Sequence, residues 1–152
     1  MPTETIKDIL DWGRRLHEDL ATIYQSASTE SEDERTRLLL NYIADHENHL
    51  AEIIANFEKH DTTGRIDSWM RDYLEKNPFV AGMREVVKFN PMDSEQVLQV
   101  TIDAHQKMIA MYRDLAQNAK SDRLETLFAN IADMESNELM RMVMTSERWS
   151  DM

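Results

Sequence analysis

The sequence predicts an all-α protein: an antiparallel four-helix bundle with a long crossover between the second and third helices. Three observations carry this. Glycine and proline number only three each in 152 residues, too little punctuation for the many turns of a β fold. Four long stretches repeat their apolar residues at intervals of three and four, the helical period. The chain also echoes itself, because IADHENHL at 43–50 returns as IADMESNE at 131–138, an offset of 88 residues from Ile43 to Ile131.

The first helix is expected from about Thr5 to Ser28. Thr5 and Asp8 can form a capping box, hydroxyl and carboxylate each taking an orphan N–H. Ile6, Ile9, Leu10, Gly13, Leu16, Leu20, Ile23 and Tyr24 make one apolar stripe. STESEDE, 28–34, reads as a polar connector. The second helix runs from about Asp33 to His60, with Leu39, Leu40, Ile43, Glu47, Leu50, Ile54 and Phe57 along one side. Residues 61–93 read as a crossover with one or two short helices. Within it DTTGR, NPF and FNPM are breaks, and IDSWMRDYLEK, 66–76, has an amphipathic pattern through Trp69, Met70, Tyr73 and Leu74.

The third helix is expected from a cap at Ser94 to about Lys120, with the stripe Leu98, Thr101, Ile102, His105, Met108, Ile109, Tyr112, Leu115 and Ala119. The fourth runs from about Arg123 to Ser146 and carries Leu124, Leu127, Phe128, Ile131, Glu135, Glu138, Leu139, Met142 and Val143. Short turns make the members of each pair, about 5–60 and 94–146, antiparallel neighbours. The crossover lets helix three start at the same end as helix two. A single domain over residues 1–152 is the expectation. The offset of 88 also relates His17 to His105, Tyr24 to Tyr112, Arg35 to Arg123, Leu39 to Leu127 and Glu47 to Glu135. Helical periodicity explains matched leucines. It does not so readily explain a matched His, Tyr and Glu.

Composition excludes several functions. The net charge is −12 with a pI near 4.8, which opposes a phosphate backbone or an anionic membrane surface as partner. Without cysteine there can be no disulfide, thiolate catalysis, zinc–thiolate site or iron–sulfur cluster. MPTETIKDIL lacks the layout of a signal peptide, and no window resembles a membrane span. A cytoplasmic protein is the expectation.

An ionised carboxylate on an apolar helix face is costly unless paired or bound to metal. Glu47, Glu135 and Glu138 lie on such faces, with His17 and His105. All four helices thus aim a potential ligand inward, and the equal spacings bring these groups to similar depth. In these residues the chain resembles the ferritin-like superfamily, and most closely its rubrerythrin-like members. The matching features are Ile-Ala-x-x-Glu on helices two and four, and a polar ligand seven residues before Tyr on helices one and three. The resemblance spans roughly Ile6 to Thr145 outside the crossover. It implies two iron or manganese ions held by a Glu from helices one and three and a Glu-x-x-His from helices two and four. The implied activities range over oxygen or peroxide reduction and iron oxidation or storage.

The chain departs from that pattern at four places. His17 and His105 stand where the family has Glu, Leu50 replaces the His of helix two, and Glu138 replaces the His of helix four. Carboxylate and imidazole both suit iron, manganese or zinc. His105, Glu138 and the shared Glu47 and Glu135 suffice for one metal with an open position. His17 with the same shared carboxylates, and Leu50 offering nothing, leaves the other position weak or empty. The alternative is a metal-free bundle whose imidazoles and carboxylates satisfy one another as a buried polar network, in a structural or interaction role.

Other residues have plainer readings. His46 and His49 share a helical face but fall outside the repeat's ligand register, which favours a surface or interface role. His60 reads as a solvated helix-end residue, favourable to the dipole. Tyr24 and Tyr112 read as core packing or as neighbours of the polar cluster. The late methionines, Met134, Met140, Met142, Met144 and Met152, suit an adaptable interface. Trp69, Met70, Tyr73, Leu74 and Phe79 would cover the bundle or build a homodimer contact. A hemerythrin-like oxygen carrier would need more His at i, i+4 spacing, and nothing specifies a storage shell.

Overall fold

A computed structural model of the chain describes residues 5–59, 64–77 and 94–150, with Trp149 and Ser150 described by backbone alone. His60, Phe79, Met152 and the FNPM break lie outside the described residues. Met1–Pro91 and Met92–Met152 are two compact units, and each is built on a helical hairpin.

In the first unit, α1 spans Ile6–Glu30, α2 spans Glu34–Lys59 and α3 spans Ser68–Lys76. The capping box of α1 is formed. Thr5 Oγ1 accepts from the Asp8 N–H at 3.1 Å, and Asp8 Oδ2 accepts from the Thr5 N–H at 3.0 Å. The Ile6 N–H donates to the Gly64 carbonyl at 3.1 Å. Gly64 has φ 145°, a conformation open to glycine and costly for other residues. This ties the approach to α3 onto the start of α1. Asp33 caps α2, accepting from the Thr36 N–H at 3.1 Å and from its hydroxyl at 2.6 Å. Asp67 caps α3, accepting from the Met70 N–H at 2.8 Å.

α1 runs two residues past the expected Ser28. The reason lies in Ser28 itself, which is buried and donates from its hydroxyl to Asn41 Oδ1 of α2 at 2.7 Å. It belongs to the hairpin face and not to the connector. At the other end Arg14 of α1 holds Glu58 of α2 at 2.9 Å, along with Asp11 and Glu18 of its own helix. The hydrogen bond with Glu18, then those with Glu58 and Asp11, keep the guanidinium more firmly protonated than usual against the opposing effect of burial. The apolar stripes meet as expected, with Ile9, Leu10, Leu20, Tyr24, Ile43, Leu50 and Ile54 closed to solvent. Ile23 and Phe57 are only half-buried. On the α3 side Ile66, Met70 and Leu74 are buried.

In the second unit, α4 spans Ser94–Gln117 and α5 spans Asp122–Ser150. Ser94 is the first helical residue rather than the cap. Ser121 caps α5, its hydroxyl accepting from the Leu124 N–H at 3.2 Å. α5 passes the expected end at Ser146 because TSERWS contains no Gly or Pro to stop it. The Ser146 hydroxyl donates back to the Met142 carbonyl at 2.8 Å. The expected stripe of α4 is buried at Thr101, His105, Met108, Tyr112 and Leu115, with Val97, Ala104, Met111 and Ala116 buried beside it, while Leu98, Ile102, Ile109 and Ala119 are half-buried. Tyr112 of α4 stacks on Phe128 of α5 with centroids 6.5 Å apart. No described helix is long and apolar enough to cross a membrane.

Candidate functional site

Each unit buries an imidazole and a carboxylate on facing helices. In the first, α1 supplies His17 and α2 supplies Glu47, both with no exposure. Each lies on the helix face that carries the apolar stripe, since His17 follows Gly13 and Leu16 and precedes Leu20, while Glu47 sits between Ile43 and Leu50. His17 Nδ1 and Glu47 Oε2 are 2.6 Å apart. Such a distance marks a charge-assisted hydrogen bond. When the carboxylate is ionised it has only acceptors to offer, and Nδ1–H is then the donor.

In the second unit, α4 supplies His105 and α5 supplies Glu135, again fully buried. A ring nitrogen of His105 and a carboxylate oxygen of Glu135 lie within 4.8 Å, close enough for one ion to touch both. His105 Nδ1 donates to the carbonyl of Thr101, one turn earlier, at 2.7 Å. A carbonyl can only accept, so the Nδ1 proton is fixed and, in the neutral ring, Nε2 carries the lone pair. Thr101 is held in place by its own hydroxyl, which donates to the Val97 carbonyl at 2.8 Å. Glu47 Oε1, His105 Nε2 and Glu135 Oε2 are all sealed from solvent.

Four of the five expected ligands are therefore buried, in two matched pairs. The fifth, Glu138, stands one turn beyond Glu135 with its side chain 12% exposed and 3.3 Å from Arg141 Nη1. Its half-pair counterpart, Leu50, is fully buried and brings no donor. His46 is half-buried beside Tyr42, with ring centroids 6.2 Å apart, and its ring lies 6.5 Å from that of the exposed His49. Tyr24 and Tyr112 are fully buried. Among the described residues, Leu38, Trp69, Met140 and Met144 are the large apolar side chains left exposed, with Trp69 stacked on Tyr73.

Sequence reasoning missed the part played by Thr101. The only signal was its place four residues before His105, where its carbonyl meets the ring. Any residue at that spacing offers the same carbonyl, so the spacing alone does not discriminate.

No family model matches the sequence, and no curated protein does. Among solved structures, the chain is similar to a Thermotoga maritima protein described as ferritin-like and diiron-carboxylate. The two are 18% identical, with a TM-score of 0.58 over 97% of this chain and 98% of that one. Shared backbone at that level of identity speaks for architecture alone, and by it this chain has the all-α ferritin-like fold.

Proposed function

We propose that the chain holds a single iron, manganese or zinc ion, with His17, Glu47, His105, Glu135 and Glu138 as its candidate ligands. The observation that carries this is the matched burial of an imidazole and a carboxylate in each hairpin, at positions 88 residues apart. Four titratable groups on apolar faces are costly without a compensating charge. The donor set fits the ions named, since imidazole and carboxylate both suit them. The likeness to a protein described as diiron-carboxylate supports the same reading. Glu138, held by Arg141 at the partly exposed edge of α5, is the fifth group of the set. Leu50 removes the donor a second ion would need, so the stoichiometry is one.

A bound iron or manganese would supply an open coordination position for oxygen- or peroxide-type oxidoreductase chemistry. The chain's own residues keep that position dry and set the protons on the imidazoles. The protein acts in the cytoplasm as a homodimer, with neither nucleic acid nor membrane as partner. Its acidic surface supports the exclusion, and the exposed Leu38, Met140 and Met144 supply apolar contact area.

One observation favours a second reading. His17 and Glu47 satisfy each other at 2.6 Å without any ion, as they would in a metal-free bundle with a structural or interaction role. Metal content separates the two. Protein purified without chelator and offered Fe(II), Mn(II) or Zn(II) is expected to retain one ion per chain, and His105→Ala to retain none. No retained ion under metal-replete conditions would leave the metal-free reading standing. Two tightly held ions would contradict the single centre.

A further inference from the structure

We propose that Met140 and Met144 form a modification site, whose thioethers are oxidised reversibly by hydrogen peroxide. Their oxidation turns an apolar face of α5 polar while the core methionines stay reduced. The inference lies within the second unit and stands apart from the metal and homodimer readings.

The chain has no cysteine and eleven methionines, so any sulfur-based response to peroxide must come from a thioether. Four of the eleven fall between positions 134 and 144, and α5 sorts them by exposure. Met142 is fully buried and Met134 half-buried, while Met140 and Met144 are 60% and 52% exposed. Four residues apart, these two side chains are neighbours on one helix face. Among the described residues outside α5, the methionines are Met70, Met108 and Met111, all buried. Burial does not explain the exposed pair, because an apolar side chain left in water contributes no burial free energy. Helix propensity does not explain it either, since Lys, Gln and Glu serve a helix about as well as Met. What a thioether adds at such positions is its chemistry.

The chemistry needs only peroxide and access. The sulfur attacks one peroxide oxygen. An S–O bond forms as the O–O bond breaks, sulfur gives up two electrons, and the other oxygen leaves as water. Methionine sulfoxide reductases reverse the step: two thiols become a disulfide, and the sulfoxide oxygen leaves as water. The sulfoxide is polar where the thioether was apolar, and two of them one turn apart change the character of the whole face. The packing of α5 through Phe128, Ile131, Leu139 and Met142 lies on its buried side and is not touched.

Peptide mapping by mass spectrometry tests this on the full chain, with chelator present and hydrogen peroxide as the probe. Met140 and Met144 should each gain one oxygen before Met134, and while Met70, Met108, Met111 and Met142 remain thioethers. Far-ultraviolet circular dichroism should stay that of the untreated protein, and a methionine sulfoxide reductase should restore both side chains. The oxidised protein should elute earlier from a hydrophobic interaction column, and M140L/M144L, which keeps the face apolar, should lose most of that shift. Met140 and Met144 remaining reduced while the buried methionines oxidise would overturn the proposal, as would a contact that keeps both sulfurs reduced throughout. So would loss of helix on their oxidation, or an undiminished elution shift in the double variant.

Discussion

Replacing His17 by Leu should destabilise the metal-free protein more than any change at its partner. Both groups are fully buried and 2.6 Å apart. His17→Leu leaves an ionised carboxylate without its donor in an apolar setting, and breaking a buried pair in this way costs about 3–5 kcal/mol. Glu47→Leu leaves instead an imidazole that can stay neutral. Its cost is that of one unmade hydrogen bond to a buried group, about 1–3 kcal/mol. The double variant H17L/E47L removes both polar groups. Such replacements are often neutral or stabilising by up to about 4 kcal/mol, so it should unfold near the wild type. For a chain of this size about 2–4 °C per kcal/mol is typical, which puts the H17L melting point roughly 6–20 °C low. Urea unfolding followed by far-ultraviolet circular dichroism, at neutral pH with chelator present, gives the ranking. An H17L cost below about 1 kcal/mol, outside the range for a broken buried pair, would refute the reasoning. So would a double variant less stable than either single one.

Further outcomes follow from the other elements. Thr5→Ala removes half of the capping box and should cost about 1 kcal/mol, read as a lower thermal midpoint. Leu50→His restores a donor one turn from Glu47 and should raise zinc bound per chain from one equivalent to two, measured by elemental analysis. Asp33 predicts a pH dependence. The Thr36 hydroxyl and then its N–H hold the carboxyl below its ordinary 3.8. A lowered folded value means stabilisation that is present above the unfolded value and lost as pH falls through the folded one. The wild-type chain should therefore lose stability below pH 3.8, and Asp33→Asn should flatten that part of the profile. Unfolding titrations of both proteins across the acid range check it.

Much of the fold was legible because its causes are local and repeated. The capping box at Thr5, the apolar stripes of α1 and α2, and the echo of Ile-Ala-x-x-Glu all lie in short stretches where residue type dictates conformation. The burial of His17, Glu47, His105 and Glu135 was legible for the same reason, since each interrupts an apolar stripe at a fixed spacing. Elsewhere the cause is not a residue type. The buried face of α4 widens to include Val97, Ala104 and Met111 beside Thr101, His105 and Met108, while Leu98, Ile102 and Ile109 are half-buried. Ser28 reads as the start of a loop until Asn41 is found across the hairpin. The acceptor for His105 is a backbone carbonyl, which every residue carries. Glu138 shares the helix face of Glu135, yet Arg141, three residues on, draws its carboxylate toward solvent.

The most direct measurement is anomalous diffraction from crystals of the zinc-loaded protein. One zinc peak per chain is expected, with ligands drawn from His17, Glu47, His105, Glu135 and Glu138. No ordered zinc at those residues, or zinc only at His46 and His49, would contradict it.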